Sequence, residues 1–240
     1  MMLRALIFDV DGTLAETEEI HRLAFNATFT ASGLDWHWTR EDYTGLLRTT
    51  GGKERMRRYR QEIGAEQPTD TVIAALHATK TSRYAEMIVA GGLALRPGIR
   101  DLVAGARRSG LRLAIATTTN RPNVDTLCRA CWGQPAEALF DEIAAGDEVA
   151  RKKPAPDVYE LALERLEIAP AQAVALEDSR NGLLSARGAG IATLAVPSVF
   201  TKAEDFSEAQ WRADSYRSAD LPDFLRDLLS ASNQTAGVSA

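Results

Sequence analysis

Short apolar runs recur along the chain, and turn residues bound each of them. The clearest runs cover residues 3–8, 111–116, 173–176 and 191–196. Apolar runs of this length between turn residues are typical of buried strands. Weaker runs near residues 142–145 and 213–216 predict two further short strands.

Helical periodicity separates most of these runs. Apolar residues spaced three and four apart predict helices at about 98–109, 121–131, 156–167, 180–188 and 222–230. Strands that alternate with helices form a parallel sheet wrapped by helices, so the pattern predicts an α/β fold. The final ten residues, rich in Ser, Ala, Asn and Gly, are expected to be frayed.

The stretch between the first and second predicted strands has a different character. Helical patterns cover residues 16–33 and 38–90, with breaks at glycine and proline residues, and no strand is predicted between them. We therefore predict an all-helical cap domain at 16–90, inserted into a core domain formed by 1–15 and 91–240. The cap would lie over the carboxyl edge of the sheet, because the first strand ends there.

Composition and charge exclude several classes of function. The 240 residues are 45% apolar and 25% charged, with a net charge of −5 and no block of Lys or Arg that would indicate a nucleic-acid surface. No apolar run approaches the roughly 20 residues that span a bilayer. The N-terminus lacks a basic stretch followed by an apolar one, so the sequence predicts a cytoplasmic protein without a membrane partner. With no patch that argues for assembly, a monomer is expected.

The two cysteines, Cys128 and Cys131, form a C-x-x-C pair. Such a pair is compatible with a redox or metal role. The chain has no second pair to complete a zinc site, and the flanking pattern is helical. Two partly buried thiols are therefore the favoured interpretation.

Polar residues follow the predicted strands at one edge of the sheet. In open α/β sheets, ligands bind outside the carboxyl ends of the strands. In order of the strands, the residues found there are Asp9 and Asp11; Thr117, Thr118, Thr119 and Asn120; Lys153; and Glu177 and Asp178. Each one alone is common in a loop, but together they predict a single site.

These residue types suit phosphoryl transfer. A carboxylate that attacks a phosphate dianion faces charge repulsion, which a hard divalent cation relieves. Asp9 is the candidate nucleophile, and it can bind Mg²⁺ together with Asp178. Lys153 can neutralise further negative charge. Thr117 can donate a hydrogen bond to a phosphoryl oxygen. Asp11 can protonate the leaving oxygen and later deprotonate water.

Four segments resemble the motifs of the haloacid dehalogenase superfamily. They are residues 9–13, Thr117 within 116–119, Lys153 within 153–157, and residues 177–179. The resemblance covers essentially the whole chain and implies a Rossmann-like core with a parallel central sheet and an inserted helical cap. It implies that Asp9 is phosphorylated, that Asp11 is the acid and base, and that Mg²⁺ is bound by Asp9, the Asp11 carbonyl and Asp178. Glu177 is expected to assist.

Within the superfamily, Asp11 argues against dehalogenases and P-type ATPases, because a second aspartate two residues on marks the phosphatase and mutase branches. Residues 49–55, residues 116–119 and the paired cysteines resemble CbbY-type sugar-bisphosphate phosphatases. Those enzymes remove a phosphate from xylulose 1,5-bisphosphate, an inhibitor of Rubisco, the Calvin-cycle carboxylase. A β-phosphoglucomutase-like phosphosugar mutase is the alternative, and a non-catalytic phosphosugar sensor is a third hypothesis.

The residues predicted to contact the substrate come mainly from the cap. They are Glu16, His21, Thr50, Gly51, Gly52, Lys53, Arg55, His77, Lys80, Thr118, Thr119 and Asn120. The glycine pair lets backbone amides approach a ligand, and Lys53 and Arg55 make this loop positive, so it is a candidate seat for a second phosphate. His77 and Lys80, three residues apart on a helix, can reach the same ligand.

Two alternatives remain open in the cap. Lys53 and Arg55 also fit the solvated start of a basic helix. His21 also fits a surface histidine on an amphipathic helix. Glu16, His21 and Lys80 occur in both the phosphatase and the mutase branches, so they do not separate the two.

Overall fold

A parallel sheet lies at the centre of the protein. The computed structural model describes residues 2–227 and residue 230, and the sheet formed by these residues has six strands in the order β3-β2-β1-β4-β5-β6. The strands are β1 Ala5–Phe8, β2 Arg112–Ala116, β3 Glu142–Ala144, β4 Ala173–Glu177, β5 Ala192–Ala195 and β6 Trp211–Arg212. All neighbouring pairs are parallel. The predicted α/β class with a parallel sheet is confirmed.

The first strand occupies the middle of the sheet. Phe8, its last residue, pairs with Ile115 of β2 on one side and with Leu176 of β4 on the other. The backbone N–H of Asp9 then donates to the Leu176 carbonyl at 3.0 Å. This register sets the end of β1 beside the ends of both neighbours, and polar residues after the three strands therefore share one edge.

Some of the helices cover both faces of the sheet, and others form the segment between β1 and β2. They are α1 Glu18–Ala31, α2 Arg40–Leu46, α3 Gly52–Glu62, α4 Asp70–Val89, α5 Ile99–Arg108, α6 Arg121–Trp132, α7 Ala136–Leu139, α8 Asp157–Leu166 and α9 Arg180–Gly188, with 3₁₀ turns at Pro170–Gln172 and Ser218–Asp220. Alternate residues of β1 enter different cores: Leu6 and Phe8 pack on one face, and Ala5 and Ile7 on the other. A strand buried on both faces explains why its sequence is continuously apolar.

Helices α1 to α4 hold an aromatic cluster of their own. Phe25, Phe29, Trp38 and Tyr43 are almost completely buried in it, and Trp36 packs edge-on against Phe29 with ring centroids 5.4 Å apart. Residues 17–90 contain no strand. That agrees with a helical insertion, while its division from the core as a separate domain at 16–90 stays a prediction.

The chain enters and leaves these helices at one point. Ala15 and Leu95 form an antiparallel bridge, and the N–H of Arg96 donates to the Leu14 carbonyl at 2.8 Å. The guanidinium of Arg96 is buried and donates to the Gly12 and Val196 carbonyls at 2.6 and 2.7 Å. The two connections are therefore fixed to each other and to the loop that follows β1.

Some predicted elements need correction. The strand predicted at 213–216 is wrong: β6 lies two residues earlier, at Trp211–Arg212, because pairing with β5 places it there. The short helix α7 was not predicted. In the predicted helix 222–230, residues 223–227 are helical, and residues 228 and 229 lie outside the described residues, as do the final ten. None of the described helices is both long and apolar enough to cross a membrane.

Candidate functional site

The ends of the strands open into one cavity between the core and helices α1 to α4. Fourteen of the predicted site residues line it, namely Asp9, Asp11, His21, Thr50, Gly51, Gly52, Arg55, His77, Lys80, Thr118, Thr119, Asn120, Lys153 and Asp178. The convergence expected from four separate strand ends is thus present in the fold.

A buried lysine joins two acids at the floor of the cavity. The ammonium of Lys153 donates to Asp9 Oδ1 at 2.7 Å and to Glu177 Oε1 at 2.6 Å. The hydroxyl of Tyr159 donates to the same Glu177 oxygen at 2.6 Å. Burial disfavours the Lys153 charge, but the charges of Asp9 and Glu177 outweigh burial and raise its pKa, so Lys153 stays protonated.

Three acids crowd the same place. Carboxylate oxygens of Asp9, Glu177 and Asp178 lie within 4.8 Å of one another, and all three residues are buried. Burial, opposed by Lys153 and reinforced by the charge of Glu177, raises the pKa of Asp9 to about 8. Burial and the charges of Asp9 and Glu177 raise the pKa of Asp178 well above its usual range. One lysine does not balance these charges.

The donor set fits a hard divalent cation. Buried carboxylate oxygens are the ligands that Mg²⁺ prefers, and Glu177 Oε2 has no hydrogen-bond partner among the described residues. Gly12 makes room for this arrangement. Its φ is +85°, and a Cβ there would lie 2.1 Å from Asp178 Oδ2, so a residue with a side chain would displace Asp178.

Asp11 is held by a hydrogen-bonded chain. Its Oδ1 accepts from the Thr17 hydroxyl at 2.6 Å and pairs with His21 Nε2 at 3.0 Å, while His21 Nδ1 lies 2.5 Å from Lys80 Nζ. When Lys80 is protonated it can only donate, so Nδ1 accepts and Nε2–H points to Asp11. Tyr84 stacks on the His21 ring with centroids 3.9 Å apart.

This chain sets the charge of its members. Burial alone would raise the pKa of Asp11, but the charge and hydrogen bond of His21 and the hydrogen bond of Thr17 lower it to about 2. Burial, aided by the charge of Arg55, lowers the pKa of Lys80 to about 7. His21 and Lys80 were predicted as substrate contacts, and the structure adds that they position Asp11.

A second network lies on the cap side. Tyr43 donates to Glu18 Oε2 at 2.7 Å and accepts from Arg55 Nη1 at 2.7 Å. Arg55 is buried, so it is not the solvated start of a helix. Beside it, a Cβ on Gly52 would lie 2.5 Å from His77 Nε2. A side chain of α4 therefore packs against Gly52, and the approach of a ligand to the glycine pair stays a prediction.

Four predicted residues lie outside the cavity lining. Thr117 is buried, and its hydroxyl oxygen accepts from the Thr119 N–H at 3.2 Å. Glu177 lies behind Lys153. Glu16 pairs with Arg96 at 3.4 Å and accepts from the backbone N–H of residue 199. Lys53 lines a neighbouring groove instead, at the rim of the cavity.

The cavity also has lining residues for which the sequence predicted no contact with the substrate. They are Glu18, Phe25, Leu47, Thr81, Asn123, Asp147, Lys152, Ser179, Asn181, Thr201 and Glu204. Glu18 lies three residues before His21, a spacing that places both on one helix face and was a usable signal. Asn181 lies three residues after Asp178 in the first turn of α9. The residues after 196 carry no comparable signal.

The cysteines lie outside this cavity. Both are free thiols on α6, and burial raises the pKa of Cys128 to about 12. A thiol with so high a pKa is inert as a nucleophile. The geometry agrees with two structural thiols.

Similarity to known proteins agrees with the geometry. Residues 3–190 match the sequence profile of the haloacid dehalogenase-like hydrolases. The chain is 58% identical over 219 residues to Protein CbbY of Rhodobacter capsulatus, covering 91% of this chain and 96% of that protein. It is 56% identical over 216 residues to Protein CbbY of Cereibacter sphaeroides, covering 90% and 93%.

Solved structures extend the comparison. A crystal structure of CbbY from Rhodobacter sphaeroides in complex with phosphate superposes with a TM-score of 0.86 at 54% identity, covering 90% of this chain and 96% of that one. A variant of that protein with xylulose 1,5-bisphosphate superposes equally well. A β-phosphoglucomutase from Clostridium difficile gives a TM-score of 0.78 at 17% identity, covering 97% and 100%, and shares the fold.

Proposed function

Because the chain belongs to the haloacid dehalogenase-like hydrolases and is a phosphatase of the CbbY type, we propose that it hydrolyses a sugar bisphosphate, namely xylulose 1,5-bisphosphate, to xylulose 5-phosphate. The reaction passes through a phospho-aspartate on Asp9. The observation that carries the proposal is the buried group of Asp9, Lys153, Glu177 and Asp178 at a cavity that Arg55, Lys80 and Lys152 also line.

Asp9 is the attacking group. Lys153, 2.7 Å away, favours its ionised form and reduces its repulsion of an incoming phosphate. Held by Asp9, Asp178 and the backbone carbonyl of Asp11, Mg²⁺ would supply the remaining positive charge. Hydroxyl and amide groups of Thr118, Thr119 and Asn120 orient the phosphoryl oxygens.

Asp11 handles the protons. The leaving oxygen needs a proton, and the water that hydrolyses the phospho-aspartate must lose one. Asp11 has a pKa of about 2, so at neutral pH it is ionised and suited to accept the proton of that water. The chain from Lys80 through His21 connects it to a group with a pKa of about 7, from which the proton for the leaving oxygen can come.

The cap favours a substrate with a second phosphate. Arg55 and Lys80 of the cap and Lys152 of the core line the cavity. His77 also lines it, but burial and the charge of Lys80 lower its pKa to about 3, so it can contribute only a neutral hydrogen-bonding group. The crystal structure of the CbbY variant with xylulose 1,5-bisphosphate supports this substrate for a chain with 54% identity. By removing this inhibitor, the enzyme would keep Rubisco active.

The first prediction concerns the nucleophile. Asp9→Asn removes the attacking carboxylate with little change of shape, so phosphate release should fall at least about 1000-fold. We would measure inorganic phosphate from xylulose 1,5-bisphosphate with Mg²⁺, alongside circular dichroism. Asp101→Asn, on the exposed side of α5, is the matched control and should keep full activity. Near-normal turnover in the Asp9 variant would disprove the mechanism.

The same assay decides between phosphatase and mutase. Phosphate released in proportion to the bisphosphate consumed supports the phosphatase. Isomerisation of β-glucose 1-phosphate without release would instead support the mutase, and no release from any sugar phosphate would support a sensor.

A further inference from the structure

Asn181 connects the core to the loop of the cap that precedes the glycine pair. Its Nδ2 donates to the Arg48 carbonyl at 3.2 Å and to the Thr50 hydroxyl at 3.1 Å. Because a backbone carbonyl can only accept, the amide nitrogen must face the cap. These bonds join residues more than 130 positions apart in sequence, 133 and 131.

Two residues close together at the start of α9 therefore contact different parts of the site. Asp178, two residues before it, belongs to the acid cluster with Asp9. Asn181, in its first turn, binds the loop of residues 48–52, whose glycine pair also lines the cavity. Lys152 of the core also lies near this loop, since a Cβ on Gly51 would lie 3.2 Å from Lys152 Cδ.

The helix does not need Asn181 in order to form. Ser179 is its N-cap residue, and the Ser179 hydroxyl oxygen accepts from the Gly182 N–H at 3.2 Å. The Asn181 side chain points away from its own helix to the cap. Its two bonds consequently stabilise the position of the cap loop rather than the local fold.

We propose that Asn181 is a positioning residue that holds the loop of residues 48–52 over Asp9 when the cap is closed. The proposal rests on the proposed function, because a fixed loop matters for a substrate that reaches from Asp9 to the cap. A substrate with a single phosphate and no group for the loop gains little from it. Asn181 thus contributes to selectivity for bisphosphates without touching the reacting atoms.

The test compares two substrates. For xylulose 1,5-bisphosphate, Asn181→Ala and the similarly sized Asn181→Leu should both lower kcat/KM about tenfold, the effect of one or two neutral hydrogen bonds. For 4-nitrophenyl phosphate, both should stay within about twofold of the wild type. Arg187→Gln, at the exposed end of the same helix, should change neither. Equal losses on both substrates, or a loss for Leu alone, would overturn the proposal.

Hydrogen exchange gives a readout that needs no substrate. The amides of Leu47 and Thr49 bond within the cap loop region, to the Tyr43 and Leu46 carbonyls. Asn181→Ala should speed exchange over residues 46–50 and leave 183–188 of α9 unchanged. If the wild type hydrolyses 4-nitrophenyl phosphate but not the bisphosphate, the proposed substrate fails while exchange still decides the role of Asn181. Unchanged exchange in the loop, or faster exchange throughout α9, would refute that role.

Discussion

Lys80 is an unusual residue at the scale of single side chains. It is 4% exposed, and its ammonium lies 4.5 Å from the centroid of the Phe25 ring and 2.5 Å from His21 Nδ1. No carboxylate is among these immediate partners. Burial, together with the charge of Arg55, therefore lowers its pKa to about 7, and the charges of Asp11 and Glu18 only partly oppose this. Near neutral pH the side chain is poised between two charge states.

This leads to a prediction on pH. An anionic substrate favours the protonated form of Lys80, and as pH rises above 7 that form becomes scarce in the free enzyme. KM should therefore rise about fivefold between pH 7 and 8 and further above it. In Lys80→Met, KM should be higher at pH 7 and flat over the same range. Steady-state kinetics at constant Mg²⁺ measure both, and a parallel rise in the variant would assign the titration to another group.

Tyr43 joins three helices at the scale of elements. Glu18 belongs to α1, Tyr43 to α2 and Arg55 to α3. The phenol of Tyr43 is hydrogen-bonded to both the Glu18 carboxylate and the Arg55 guanidinium, and so links them. The guanidinium also lies over the Tyr43 ring, 4.9 Å from its centroid. Tyr43 does not line the cavity, but it holds in place two charged residues that do, Glu18 and Arg55.

Removal of this hydroxyl should separate binding from chemistry. Tyr43→Phe leaves a buried Arg55 N–H without an acceptor, which should reduce the free energy of unfolding by about 1–3 kcal/mol. With Glu18 and Arg55 less fixed, KM for the bisphosphate should rise several-fold while kcat changes less. Chemical denaturation and initial rates test this, with Tyr59→Phe, also on the aromatic cluster, as control. An unchanged KM would show that the network is structural only.

The elements show what local sequence determines. The strands β1, β2, β4 and β5 lie within two residues of their predicted positions, because continuous apolar runs dictate burial on both faces. The two-residue strand β6 was misplaced because only its pairing to β5 defines it. The convergence of Asp9, Lys153 and Asp178 followed from the parallel topology alone. The roles of Asn181 and Tyr43 were not predicted, because they depend on side-chain contacts across the cap, which spacing does not encode.

At the scale of the whole molecule, the acid cluster that the proposed reaction needs lowers the stability of the fold. Asp9 and Asp178 have raised pKa values in the folded protein, so the folded state binds more protons than the unfolded state between their usual pKa near 4 and the raised values. Stability then falls as pH rises through this window, since the excess protons are lost. A protein selected for stability alone would not keep these buried acids together.

Replacing one acid of the cluster should increase stability in the absence of metal. Without metal, Asp178→Asn should be more stable than the wild type, and the difference should grow from pH 5 to pH 8, because the amide removes the repulsion that ionisation of Asp9 and Asp178 creates. Added Mg²⁺ binds the folded wild type and should raise its free energy of unfolding above that of the variant, by an amount that grows with metal concentration. Urea denaturation with EDTA and with Mg²⁺ at each pH measures both effects, and Asp101→Asn should follow the wild type throughout. A difference independent of pH would mean that ionisation of these acids does not lower the stability of the wild type. A variant that stays the more stable protein in Mg²⁺ would mean that these acids do not form the metal site.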